Sequence, residues 1–419
     1  MGALGGSGGP SGTDPARPGR SRGGDAPARS GADRAPTPRS EANQPPVSRP
    51  PVSRPSAAWL GSLFQQTMAN RGHRPRGAQN GSAQVYAALD LGTNNCRLLV
   101  ARPRRSGFSV IDAYSRTVCL GENLSGTGVL DPQAMDRAIE ALQVCVAKME
   151  RRGVTVARSI ATQACRCARN GQEFLDRIHR ETGLVLEIIP PAEEAWLAAM
   201  GCWPLVDRTC STALVFDIGG GSTELIWLNL RGAGRDRPFP TVASWTSLPY
   251  GVVNLTERFG TPHLEPEVYP VMVAEMRASL STFTGADPLR GDFGTGNAHI
   301  IGTSGTVTTL AGLMLGLPRY DREQVDGVWL EMERARGLIR KLAALDHPDR
   351  SLLPCIGTDR ADFVLAGCAI LEAIDSLWPT PRLRVADRGL REGILLSLMA
   401  RPARKNRRRR MAGPRHARP

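Results

Sequence analysis

Several features that would fix a function class are missing from this 419-residue chain. Its nine cysteines, at 96, 119, 145, 165, 167, 202, 210, 355 and 368, include no Cys-x-x-Cys and no framework spacing. Cys165-x-Cys167 is too little for a structural zinc site. Most of the cysteines sit among apolar neighbours and read as small core residues in a reducing compartment, which points to the cytoplasm. The six histidines show no metal-ligand spacing. No run of 18 apolar residues occurs, and no apolar h-region follows residue 1. Membrane spanning and secretion are therefore both unexpected.

Acidic residues are scarce at both ends. Residues 1–82 hold eleven Arg and four acids, net +7, and residues 401–419 hold eight Arg, one Lys and no acid, net +9. The whole chain is +13, so residues 83–400 carry −3. The basicity sits in the tails. The body of the chain gives no reason to expect nucleic-acid binding, and any polyanion contact of that kind would run through the tails. Residues 1–82 also contain 14 Gly and 12 Pro, and the stretch PVSRP occurs at 46–50 and again at 51–55. Such composition predicts disorder for 1–82, and the acid-free tail 401–419 is expected to be disordered as well. Within the first segment, the mildly amphipathic patch Ala57 to Met68 reads as a transient helix or a docking segment.

Order is expected from Gln84. Strands are predicted at Val85 to Leu91, Cys96 to Ala101 and Phe108 to Ala113. Asp131-Pro132 is an N-cap followed by proline at the first helical position. Met135, Ile139, Leu142, Val146 and Met149 then keep helical spacing to about Arg152. A strand over Val154 to Ala161, a helix over 171–182 and a strand over Leu184 to Ile189 follow. Pro190-Pro191 opens a helix that carries Glu193 and Glu194 and runs to Met200.

The plan then restarts. Leu89-Asp90-Leu91-Gly92 aligns with Phe216-Asp217-Ile218-Gly219 at an offset of 127, and under that offset Arg97 corresponds to Glu224. The second copy, ALVFDIGGGSTELIWL over 213–228, is the densest chemistry in the chain. Two apolar runs flank Asp217, then Gly219, Gly220 and Gly221, then Ser222, Thr223 and Glu224. Two β-rich runs joined by a Gly-rich turn read as a hairpin. Glycine lets backbone N–H groups approach a ligand, and successive N–H groups form an anion nest. Asp217 repels a phosphate unless a cation lies between them, most simply Mg²⁺. Further elements are predicted at Thr241 to Leu248, 251–259, 265–284, His299 to Gly302, a helix opened by 303–306 and running to about Leu315, 331–345, 359–377, Leu383 to Ala386 and Leu390 to Met399. Two hairpin-led α/β halves, 83–207 and 208–400, are expected to enclose a cleft that Asp90 and Asp217 face from opposite walls. The last helix, 389–400, is expected to pack back on the first half.

Four motifs occur in order: LeuAspLeuGlyThrAsnAsn-x-Arg at 89–97, PheAspIleGlyGlyGlySerThrGlu at 216–224, IleGlyThrSerGlyThr at 301–306 and ValAlaAspArgGlyLeuArgGluGly at 385–393. Together they resemble the exopolyphosphatase/guanosine pentaphosphate phosphatase (Ppx/GppA) family, in its short two-domain form, over about residues 84–400. The resemblance implies the duplicated ribonuclease H-like fold of the actin/Hsp70/sugar kinase superfamily. It implies Mg²⁺-dependent release of terminal phosphate from inorganic polyphosphate. The alternatives are the 5′-phosphate of guanosine pentaphosphate, or a kinase or ATPase of the same superfamily.

By position, the resemblance makes Glu194 the general base and Asp217 and Glu224 the cleft carboxylates. It places Asn94, Arg97, Arg166, Gly219 to Ser222, Gly302, Ser304 and Gly305 on substrate, and Asp90 with Asp217 on the metal. This chain departs from the family pattern at Thr93-Asn94-Asn95, at Pro190-Pro191-Ala192 and at Ala386-Asp387-Arg388. A homodimer is among the expected arrangements.

Overall fold

A computed structural model describes residues 84–105, 107–231, 241–260, 267–283, 285 and 290–400. The tails 1–82 and 401–419 and the patch 57–68 lie outside the described residues. The first hairpin, β1 (Tyr86–Leu91) and β2 (Asn95–Pro103), continues into β3 (Phe108–Thr117). Helix α1 (Pro132–Arg151) begins as its N-cap predicts, with Asp131 accepting from the N–H groups of Gln133 and Ala134. Strand β4 (Val156–Ala161), helix α2 (Gly171–Thr182), strand β5 (Glu187–Ile188) and helix α3 (Pro191–Cys202) follow. The first sheet has the order β3-β2-β1-β4-β5. Its β1–β2 pair is antiparallel and its β1–β4 pair parallel.

The second half repeats the plan with β6 (Thr212–Ile218), β7 (Thr223–Asn229), β8 (Thr241–Leu248), α4 (Val252–Phe259), α5 (Val268–Ser281) and β9 (Ala298–Ser304). Then come α6 (Gly305–Met314), β10 (Trp329–Glu331), α7 (Met332–Ala344), α8 (Val364–Leu377), β11 (Arg382–Ala386) and α9 (Leu390–Met399). The second sheet runs β10-β11-β9-β6-β7-β8, with β11, β9 and β6 parallel. Both sheets are helix-covered, which explains why β1, β6 and β7 read as near-continuous apolar runs rather than as alternations. This is the duplicated, two-sheet actin-like α/β architecture that the resemblance implies.

The differences from the expected elements are local. The strand expected over 184–189 shortens to Glu187–Ile188, and Pro190 and Pro191, which offer no N–H, stop the ladder at its C-terminal end. The helix expected over 359–377 breaks into Thr358–Ala361 and Val364–Leu377, and at the break the Asp362 carbonyl accepts from the Thr256 hydroxyl. β10 was not foreseen. It is three residues long, too short to show a period, and it occupies the ground where a helix was expected to begin at 331.

The last helix, α9, packs on α3 and on the first sheet, where Ile394 and Leu395 join Tyr86, Ala88, Leu99 and Leu197 in one buried cluster. Small residues make that approach possible. A Cβ on Gly393 would stand 1.9 Å from the Leu197 carbonyl oxygen, and one on Gly201 would stand 1.9 Å from that of Gly389. The two helices thus touch backbone to backbone, which fixes α3 and the loop before α9 against each other.

Candidate active site

The two hairpin turns share one local geometry. In the first, Gly92 N–H donates to Asn95 O at 2.9 Å; in the second, Gly219 N–H donates to Ser222 O at 2.9 Å. The carbonyls of each turn are then drawn to one side. Thr93 O accepts from Gly121 N–H, and Asn94 O accepts from Val118 and Cys119 N–H, at 2.8 to 3.1 Å. Gly219 O and Gly220 O accept from Val252 and Val253 N–H at 3.0 and 2.8 Å, and Gly221 O accepts from the Asn254 amide at 3.0 Å. In a trans peptide the N–H points opposite to the preceding carbonyl. The N–H groups of Asn94 and Asn95, and of Gly220, Gly221 and Ser222, therefore point away from those anchors. Two backbone nests result, one in each half.

The turns approach each other closely. A Cβ on Gly220 would lie 3.0 Å from Thr93 Cβ and 3.2 Å from Asn94 N, and one on Gly221 would lie 2.7 Å from Gln163 Cγ. Here glycine is required for room. A third group of donors comes from α6, whose N-cap Ser304 accepts from Val307 N–H at 3.1 Å and so leaves the first helical N–H groups to a ligand. Gly305 opens that helix, as expected. Gly302 does not belong to the loop. It lies buried inside β9, and its missing Cβ is replaced by the Phe216 ring, 2.5 Å from where that atom would be.

Four carboxylates converge on the same region. Strand register pairs Asp90 with Arg97 and Asp217 with Glu224. Glu194 sits in the first turn of α3, reached through Pro190 and Pro191. Burial, then the charge of Glu224, pushes the Glu194 carboxyl well above the ordinary range, against the pull of Arg166. Burial and Glu224 push Asp217 up to about 8, with Arg97 opposing. Asp90 is raised by burial and held back by Arg97 and Arg391. Glu224 is 2 % exposed and is raised by burial, although hydrogen bonds from Ser247 (2.7 Å) and Ser222 favour its ionised form.

Arg166 makes three hydrogen bonds within the protein. Its guanidinium donates to Ile189 O at 2.7 Å, to Gln163 Oε1 at 2.6 Å and to Glu194 Oε2 at 3.1 Å. It thus orients Glu194 as much as it faces a ligand. The neighbouring Glu193 turns away to Arg158, at 2.7 Å, which pins α3 to β4. Adjacent helical residues point about 100° apart, so only one of the two acids can reach the cleft.

Two site groups had not been singled out from the sequence. Arg391 carries a cation toward Asp90 and Arg97, and it lies inside the fourth motif, where the family pattern could have flagged it. Ser247 holds Glu224 from β8, a strand with no sequence signal for that role. Asp387 is bound by Arg322 at 3.3 Å, and Arg388 pairs with Asp326.

Among the described residues, no three His, Cys, Asp or Glu side chains converge closely enough to enclose a metal by themselves. Mg²⁺ does not need that. It is held by one or two carboxylates, with water and substrate phosphate completing its shell. Asp90 Oδ1 is buried without a hydrogen-bond partner, and Asp217 sits beside further acids. This donor chemistry fits a small divalent cation, which Asp90 and Asp217 would hold.

Comparison with known proteins bears on the family. A Haemophilus influenzae protein provisionally named an exopolyphosphatase is 27% identical over 321 residues, covering 76% of this chain and 92% of that one. A solved Ppx/GppA family member from Aquifex aeolicus is 29% identical, with a TM-score of 0.62 over 75% of this chain and 97% of its own. An exopolyphosphatase structure from Cytophaga hutchinsonii reaches a TM-score of 0.66 at 25% identity, over 75% and 98% of the two chains. The sequence pattern of the Ppx/GppA phosphatase family matches residues 99–402. With paired hairpin nests, a carboxylate cluster and that match in hand, the chain is a member of the Ppx/GppA phosphatase family.

Proposed function

We propose that this phosphatase releases the terminal phosphate of inorganic polyphosphate, with Mg²⁺, in the cleft between the two hairpin turns. The observation that carries the reading is the pairing of two N–H nests, from opposite halves, around a group of acids whose affinity for protons is raised. The nests cradle the oxygens of a terminal phosphate, and Arg97, Arg391 and the start of α6 add positive potential. Mg²⁺, held by Asp90 and Asp217, would supply Lewis-acid neutralisation of phosphate oxygens. Glu194, aimed by Arg166, takes the proton of the attacking water. A base of raised pKa is well matched to that task near neutral pH. Phosphoanhydride cleavage needs little else from a protein than position, charge neutralisation and a base.

Polyphosphate is favoured over guanosine pentaphosphate by the two arginine-rich tails, which suit a long polyanion better than a short one. The nine cysteines are all free thiols, in keeping with a cytoplasmic setting. Among the described residues no helix is long and apolar enough to cross a membrane. Phosphate release from long-chain polyphosphate, guanosine pentaphosphate and ATP, each with and without Mg²⁺, tests the proposal. The expected order of kcat/KM puts polyphosphate first and requires the metal. Equal rates on ATP, or Mg²⁺ independence, would overturn it.

A further inference from the structure

Alternation along the strands divides the second sheet. Ile300, Leu330 and Leu383 enter the core with residues of α6, α7 and α8. His299, Trp329, Arg382 and Arg384 therefore share the other face, on the neighbouring strands β9, β10 and β11. The Trp329 indole is their common contact. The Arg382 and Arg384 guanidinium groups lie over it, 4.2 and 4.9 Å from its centroid, and the His299 ring meets it edge-on at 6.0 Å. Stacking of this kind orients a guanidinium. Strand rise separates His299 from Ser304, at the cleft end of β9, by about 16 Å.

The open polar atoms of this cluster are donors. The Asp207 N–H donates to His299 Nε2 at 3.0 Å, so that nitrogen carries the lone pair. Burial lowers the pKa of the ring to about 4, with Arg384 and Arg382 adding to the effect and Asp207 opposing it. The neutral ring then carries its proton on Nδ1. That N–H and the Nε–H of Arg384 are both buried and meet no acceptor. His299 as a whole is only 5 % exposed. A buried donor left unpaired is costly.

Two acids stand near, and neither neutralises the arginines. Glu331 is opposite Arg382 in the register, and Asp207 turns its carboxylate to the Thr209 N–H and hydroxyl, at 3.0 and 2.6 Å. Among the described residues, no carboxylate comes within 4.0 Å of Arg382 or Arg384. Water would satisfy the buried donors and leave the two charges unanswered. An oxyanion answers both, and the planar guanidinium matches the oxygens of a phosphate.

We propose that Arg384, His299 and Arg382, gathered on Trp329, form a second anion site that takes a phosphate group on the face of the sheet away from α6, α7 and α8. The inference stands apart from the reading of the cleft and needs no turnover to be tested.

The full chain, free of divalent metal, is titrated with inorganic phosphate at constant ionic strength while tryptophan fluorescence is followed. The parent should show a saturable change with a midpoint on the order of 1 mM. Arg384→Gln should raise that midpoint about tenfold, and Trp329→Phe, which leaves the other six of the seven tryptophans, should abolish the signal. In protein carrying ¹⁵N-histidine, the His299 Nδ1–H resonance should shift with the same midpoint. Tripolyphosphate and long-chain polyphosphate, titrated in the same way, identify the source of the phosphate group. Tighter binding per phosphate by the chains assigns the site to a polymer, and tighter binding of orthophosphate assigns it to the free ion.

Equal midpoints in the parent and Arg384→Gln overturn the proposal. So does the same change produced by chloride, which would be charge screening alone, or an unmoved His299 resonance, which would leave water as the partner of the buried donors. A signal that survives Arg384→Gln but falls with Arg97→Gln belongs to the cleft and also overturns it. If Arg384→Gln does not fold, the exposed Arg382→Gln replaces it and should raise the midpoint about threefold; an unchanged midpoint there counts against the site.

Discussion

Replacing Gly393 by alanine should damage both stability and turnover, although alanine is the better helix former. The new Cβ would sit 1.9 Å from the Leu197 carbonyl oxygen and 2.7 Å from its carbon. A backbone oxygen cannot rotate aside, so α3 and α9 must part by at least about 1 Å. Overpacking of this kind costs about 1–3 kcal/mol. It also loosens Ile394 and Leu395 from Leu197, Ala88 and Leu99. Against that stands a helix-propensity gain of about 1 kcal/mol. The net expectation is a loss of up to about 2 kcal/mol, read as a lower midpoint in urea at unchanged slope. Because α3 carries Glu194 and the loop before α9 runs near Asp217, whose Oδ2 is 3.9 Å from where a Cβ on Gly389 would stand, a shift of about 1 Å should lower kcat by about a hundredfold. Gly337→Ala is the control. It sits in helix α7 with only the far end of Arg340 nearby, at 3.9 Å, and should stabilise by about 0.5–1 kcal/mol with activity intact. Equal stability and turnover in Gly393→Ala and the parent would refute the reasoning.

Glu194→Gln keeps shape and loses proton acceptance, so turnover should fall by about 10²–10⁴ with polyphosphate binding retained; Glu193→Gln, facing Arg158, should change turnover far less. The pH–rate profile should rise through a pKa well above 4.5, because only ionised Glu194 accepts a proton, and Arg166→Gln should move that limb to higher pH by removing the cation that opposes the shift. Asp217 holds its proton up to about pH 8 in the folded state but only to about 3.8 when unfolded. Its contribution to stability is therefore fully present below pH 3.8 and is lost as pH rises through about 8; thermal melts of the metal-free protein should show this decline, and Asp217→Asn should flatten it. Mg²⁺ titrations of activity should shift to higher concentration in both Asp90→Asn and Asp217→Asn, with the larger shift in Asp217→Asn; superimposable curves would place the metal elsewhere.

What the sequence disclosed and what it hid follow a physical division. The hairpins were legible because a strand–turn–strand unit is written in contiguous residues: Asp90 and Arg97, or Asp217 and Glu224, are neighbours in register only seven positions apart. The 127-residue offset then announced the duplication. The N-cap at Asp131 and the start of α6 at Ser304 were legible for the same local reason. What stayed hidden depends on distant partners. Nothing near Ser247 indicates that β8 will bring its hydroxyl to Glu224. Arg166 reads as a phosphate ligand from its motif, and its three bonds to Ile189 O, Gln163 and Glu194 come from partners that the motif does not disclose. Gly302 looks like part of a phosphate loop because glycine is common there; in the fold it makes room for Phe216. β10 and the break at Asp362 escaped because a three-residue strand has no period, and one carbonyl turned to Thr256 leaves no local trace.

The two halves have diverged at one matched pair of positions, and the difference sets the chemistry. In the first hairpin the residue opposite the aspartate is a cation, Arg97; in the second it is an acid, Glu224. A strict repeat of the first pattern would neutralise both aspartates and leave a cleft with little appetite for a divalent ion. A strict repeat of the second would gather a further acid and repel the phosphate that the nests are shaped to hold. With one of each, the first half contributes positive charge toward a phosphate while Asp217, beside Glu224, binds a proton up to about pH 8. A carboxylate that holds a proton so tightly has the same reason to hold Mg²⁺, since both relieve one electrostatic strain. Under the proposed function, the asymmetry between Arg97 and Glu224 would thus let a symmetric pair of turns grip an anion and a cation at once.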